Sequence, residues 1–245
     1  MAADWKAPED WQKDGSIISG VTNLKTGAWT TMLSAKEVKN GREVDVVIKT
    51  FSVPEHVLED PDRIAREREK FLTSARLQKK LTDANAAAWV PVLRISEDPH
   101  NTSFSMLKEG ASLQDILDRR VNLTAQDLFD VTLAVLQGFE EIQTKAGRAH
   151  GSLKASDVLS SPGHHPPYQL ADPSSKEEKH AANDLYALGL ILFQLIEHKE
   201  WDPLTPIIPT SNWARFKGKR DRWMHFLNML LLANGCQEPL ANVRR

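Results

Sequence analysis

The hydrophobic period changes along this chain, and that change limits the architectures open to it. Residues 16–49 alternate apolar and polar with β-branched enrichment, whereas from Ser112 onward apolar residues recur at helical spacing. A strand-period half followed by a helix-period half predicts an α+β chain of two lobes, with the boundary near residue 108. In the first half, Lys39-Asn40-Gly41 separates the strand-like runs Thr30–Glu37 and Glu43–Phe51, a hairpin signal because Asn-Gly accepts positive φ. A charged helix is expected over Pro61–Leu81, capped by Asp60 or Asp62, followed by short strands at Trp89–Ser96 and Thr102–Leu107.

In the second half, Ser112 with Asp115 resembles a capping box, and Thr124 opens an amphipathic helix through Gln143. A polar loop is expected over Gly147–Lys179. A buried helix then runs from Asn183 or Asp184 to near His198, and a last one covers Asp221–Asn234. The polar, acidic residues 1–15 read as a tail, which leaves an N-lobe over 16–107 and a C-lobe over 108–245. Leu240–Arg245 is a helical pattern with no cap, expected of a domain that belongs to a longer protein.

Composition narrows the function classes. The 31 Lys+Arg against 33 Asp+Glu give a net charge of −2, which disfavours a nucleic-acid partner. Cys236 is the single cysteine, so no intrachain disulfide forms and a reducing, cytoplasmic setting is expected. The longest apolar run, Leu185–Ile196, is too short to span a bilayer, so no membrane association is expected. His164 and His165, near His150 and His180, match no metal-ligand spacing and read as a surface loop. Arg215, Lys217, Lys219, Arg220 and Arg222 interleave with Trp213, Phe216 and Trp223; a solvated helix start with buried aromatics is the simpler reading beside an anionic-partner surface.

Five segments carry a more specific pattern. Val46-Val47-Ile48-Lys49 ends an apolar strand in Lys. Ser112–Leu117 follows the extended Phe104–Leu107 stretch. His150-Gly151-Ser152-Leu153-Lys154 continues to Asp157-Val158-Leu159, Leu170-Ala171-Asp172-Pro173-Ser174 comes next, and Asp184–Gly189 opens the buried helix. In this order they resemble the phosphate-holding strand, hinge, catalytic loop, metal-binding segment and long central helix of the protein-kinase fold. The resemblance spans about residues 16–235 and implies a small β-rich N-lobe with one helix and a mainly helical C-lobe.

What the resemblance implies for function turns on the departures. Ser152 stands where the catalytic-loop Asp would accept the substrate proton, and a hydroxyl without an activator is not a general base at neutral pH. Gly151 replaces the neighbouring Arg. Asp157 replaces the metal-binding Asn and remains an oxygen ligand for a hard cation, as does Asp172. Lys49 and Lys154 stand where lysines would meet phosphate. Lys25-Thr26-Gly27-Ala28-Trp29-Thr30 aligns with the glycine-rich phosphate loop and keeps only Gly27, so a plain hairpin is expected. The helical partner of Lys49 falls on Glu67 or Glu69 by separation, or on Ser74 by pattern, with a solvated face as the ordinary role of both glutamates. Twelve positions separate Asp172 from Asp184, with no Ala-Pro-Glu and with Pro173-Ser174 in place of Phe-Gly, which leaves no platform for a peptide substrate.

The resulting expectation is a degenerate member of the fold, a pseudokinase that is not an enzyme and acts as a regulatory scaffold for another protein, with no cofactor. The alternative is an ATP- and Mg²⁺-binding domain with ligand-gated signalling or an atypical nucleotide-dependent transferase activity.

Overall fold

A computed structural model describes residues 5–13, 15–176, 181–204 and 206–232. The capless pattern at Leu240–Arg245, His180 and Cys236 lie outside these residues. Two compact units divide the chain, one of Met1–Ala84 with Val90–Lys108, the other of Asn85–Trp89 with Glu109–Arg245.

The first unit is built on a five-stranded antiparallel sheet in the order β1 (Ile17–Thr26), β2 (Thr30–Lys39), β3 (Arg42–Phe51), β5 (Ser103–Leu107), β4 (Val92–Ser96). Asn40 and Gly41 both take positive φ, 52° and 75°, as a two-residue turn matched to strand twist requires. One sheet face carries Leu33, Ala35, Val46 and Ile48. The register of β3 on β5 puts Lys49 opposite Phe104 and Val47 opposite Met106 on the other face.

Within the stretch read as a tail, residues 5–13 pack on the sheet. Helix α1 (Glu9–Lys13) buries Trp11 at 2% exposure among Leu33, Ala35, Val46 and Ile48, and Trp5 packs at its edge. Arg94 donates to the Trp11 carbonyl at 3.2 Å and to the Ser16 hydroxyl, and it pairs with Glu37 at 2.9 Å. Helix α2 (Pro61–Asp83) takes Asp60 as its cap, with the Arg63 N–H donating to the Asp60 carboxylate at 2.9 Å and Pro61 in the first turn.

The second unit is mainly helical. Helices α3 (Leu113–Asp118) and α4 (Ala125–Ala146) both start in complete capping boxes, Ser112 with Asp115 and Thr124 with Asp127. Trp89, expected in a strand, instead belongs here: its indole N–H donates to the Gly138 carbonyl at 3.2 Å, and it bridges to Leu170. Gly138 permits this approach of α4, since a Cβ there would stand 2.8 Å from the Leu170 side chain. The region expected as a polar loop contains a short ribbon, β6 (Val158–Ser160) against β7 (Tyr168–Leu170). Helix α5 (Ala182–Glu197) is followed by a 3₁₀ stretch at Ser211–Lys219 and α6 (Arg220–Leu232). Among the described residues, no helix is long and apolar enough to cross a membrane.

Candidate functional site

In the first unit, Lys49 lies near the end of β3 and is buried at 7% exposure, its Nζ 5.8 Å from the Phe104 ring centroid. It is not a solvated edge residue. The neighbouring turn does not have the form of a phosphate cradle. The Gly27 N–H donates inward to the Thr30 carbonyl at 2.7 Å, which closes the hairpin. A Cβ on Gly27 would meet nothing nearer than 3.4 Å, so no close backbone approach demands glycine there. Trp29 folds back and stacks on Phe51 at 5.8 Å and 18°, and the Arg63 guanidinium covers it at 5.7 Å. The aromatic line continues through Phe71 of α2 to Phe104, at 6.0 and 5.3 Å.

Helix α2 separates the three candidate partners of Lys49. At helical spacing, Glu67, Phe71, Ser74 and Gln78 share one face. Phe71 and the fully buried Gln78 fix that face as the inward one, with Gln78 donating to the Val90 carbonyl at 2.8 Å. Glu69 points elsewhere: it accepts from Arg76 at 2.8 Å, and Arg76 also makes two bonds to Glu97. The hydrogen bonds from Arg76 hold the Glu97 carboxyl below its usual value. Glu67 accepts from Lys70 at 2.6 Å.

In the second unit, one buried carboxylate organises the His150–Asp157 loop. Asp184, in the first turn of α5 and 1% exposed, accepts from the Gly151 N–H at 2.8 Å and from the Leu153 N–H at 3.4 Å. Gly151 has φ 86°, a conformation suited to glycine. His150 is fully buried, stacks on Trp89 at 5.6 Å and bonds the Ala171 carbonyl through Nε2 at 3.2 Å.

Ser152 and Lys154 are exposed, and among the described residues the Ser152 hydroxyl has no hydrogen-bond partner. Asp157 is committed locally, one carboxylate oxygen accepting from the Lys154 N–H and the other from the Ser156 hydroxyl, both at 2.9 Å. Asp172 has φ 56°, and Pro173 behind it is buried. Among the described residues, no group of three or more His, Cys, Asp or Glu could hold a metal ion. His164 and His165 are exposed in the β6–β7 connection.

No sequence pattern marks Arg148. Its guanidinium donates to the Ser174 carbonyl at 2.8 Å and to that of Lys176, while the Ser174 N–H donates to the His150 carbonyl at 2.8 Å. Residues 173–176 are thus tied back through their backbone groups. In the basic stretch, Phe216 packs on Trp213 and Trp223 at 5.4 and 4.9 Å, and Arg215 donates to the carbonyls of Leu123 and Asn212. Arg215 is a brace there, and the aromatics are packing residues.

Burial pushes the His150 pKa below the ordinary histidine value of 6.5, against the opposing pull of the Asp184 carboxylate. The unfolded chain therefore binds more protons than the native one just below that value. The His150 contribution is complete above about pH 6.5 and is lost as pH falls through the depressed native value. Urea unfolding should show a larger loss of stability between about pH 7.5 and 5.5 for the native sequence than for His150→Gln. Equal losses would remove His150 as the cause.

No protein-family model matches this sequence, and no curated protein matches it. Among solved structures, the kinase domain of Mycobacterium tuberculosis PknI is similar with a TM-score of 0.56 at 18% identity, over 92% of this chain and 93% of that one. The chain therefore has a protein-kinase-like fold, with a five-stranded sheet unit and a helical unit in the expected order.

Proposed function

We propose that this chain has lost phosphoryl transfer and acts as a regulatory protein-binding domain, a pseudokinase. Ser152 carries the reading. The surrounding loop keeps its supports, with His150 buried and the Gly151 N–H held by Asp184, while the residue at the proton-accepting position is an exposed hydroxyl. Phosphoryl transfer relies on positioned charge rather than covalent help. A loop held in place without its general base keeps the form and lacks the chemistry.

Two observations, one in each unit, support a reading without nucleotide. Trp29 is packed on Phe51 under Arg63 in the turn that would have to open its backbone N–H groups to phosphate. Both Asp157 carboxylate oxygens already accept hydrogen bonds from their own loop. A ligand at 100 times its Kd would raise stability by about 2.7 kcal/mol, so thermal denaturation with ATP and Mg²⁺ is a sensitive test. The expected result is no shift. Saturable stabilisation that disappears in Lys49→Met would replace this reading with a nucleotide-gated one.

A further inference from the structure

Between α5 and the 3₁₀ stretch, the chain runs Trp201-Asp202-Pro203-Leu204-Thr205-Pro206-Ile207-Ile208-Pro209-Thr210, with prolines at every third position. Both flanks are anchored. Trp201 packs edge-on against Tyr186 of α5 at 6.0 Å. The Thr210 hydroxyl donates to Glu197 at 3.1 Å, and the Trp213 indole donates to the same carboxylate at 2.5 Å.

Two apolar residues between them are uncovered. Leu204 is 92% exposed and Ile208 70%, the two highest values among the exposed large hydrophobic residues described. The Leu204 N–H is turned onto the Asp202 carboxylate at 2.9 Å, and Pro206–Thr210 form neither helix nor strand. Pro206 and Pro209 have φ fixed near −65°, and Pro209 biases Ile208 before it toward extended backbone. A three-residue repeat of this kind places Pro206 and Pro209 on one edge of a polyproline II helix, at little further entropic cost.

We propose that Pro206–Pro209, with Leu204 beside it, is a docking segment for a partner domain whose aromatic-lined groove reads polyproline II ligands. Glu200 and Asp202 are exposed on its N-terminal side, so the groove that fits is one flanked by Lys or Arg. The proposal rests on reading the chain as a binding domain and names the class of partner. Its test does not depend on whether the chain transfers phosphate.

The full chain would be titrated against a panel of purified SH3, WW and EVH1 domains that includes members with basic groove flanks. The expected result is saturable binding by at least one member, weakened about tenfold or more by Pro206→Ala/Pro209→Ala and separately by Ile208→Ser. Met229→Ser, at another exposed apolar position, should leave binding unchanged. Binding by no member, or equal binding by the loop variants, would overturn the proposal. So would a dimer in sedimentation that Leu204→Ser dissociates, since the segment would then serve a second copy of this chain.

Discussion

Arg94→Ala should destabilise the chain by about 3–5 kcal/mol, because it strands a carboxylate that the fold has removed from water. Glu37 and Arg94 form an ion pair at 2.9 Å with side chains only 4% and 10% exposed. The same guanidinium holds the Trp11 carbonyl and the Ser16 hydroxyl, so its loss also loosens α1 from the sheet. The cost comes from the partner left behind and not from the attraction lost, which gives the test its internal control. Arg94→Met combined with Glu37→Leu removes both charges and should recover most of the stability. Urea unfolding of the two single variants and the double variant closes the cycle. A double variant as unstable as the sum of the singles would show that packing around Trp11, rather than the buried charge, sets the cost.

Asp184→Ala should lower stability by about 3 kcal/mol, through loss of charge-assisted hydrogen bonds and orphaning of the Gly151 N–H. For a chain of this length that corresponds to about 6–12 °C in Tm. Asp184→Asn keeps one carbonyl acceptor and should lose about half as much. The two variants separate hydrogen bonding from charge: equal losses would assign the stabilisation to the carboxylate charge. Because Asp184 secures the loop that carries Ser152, this is also the most direct structural perturbation of the candidate site.

The features legible in the sequence are those whose physics is local. The Ser112–Asp115 cap, the Asn40-Gly41 turn and the α4 apolar stripe each depend on residues a few positions apart, and all three are present. The order of the five motif segments gave the fold because it needs only spacing. The ribbon of β6 and β7 leaves no signal because strands of three residues are too short to show a two-residue period.

The acidic and polar neighbours of Trp11 predict a tail. The nearby Trp5 was the available signal of an apolar anchor. The Glu37–Arg94 pair joins strands 57 positions apart, and no local pattern announces it. The candidate partners of Lys49 could not be ranked from separation alone. The helical face shared with Phe71 and Gln78 turns Glu69 away from them and toward Arg76. Arg148 leaves no signal in the sequence because the bonds it makes are to backbone carbonyls, which carry no residue identity.

The central claim is the loss of phosphoryl transfer at a loop that keeps its supports but carries Ser152. The direct measurement is incubation of the native chain with γ-labelled ATP, Mg²⁺ or Mn²⁺, and general protein acceptors, followed through the label on acceptor and chain. The account predicts no label above that of heat-inactivated chain. Label transferred by the native chain and abolished by Asp172→Asn would contradict it.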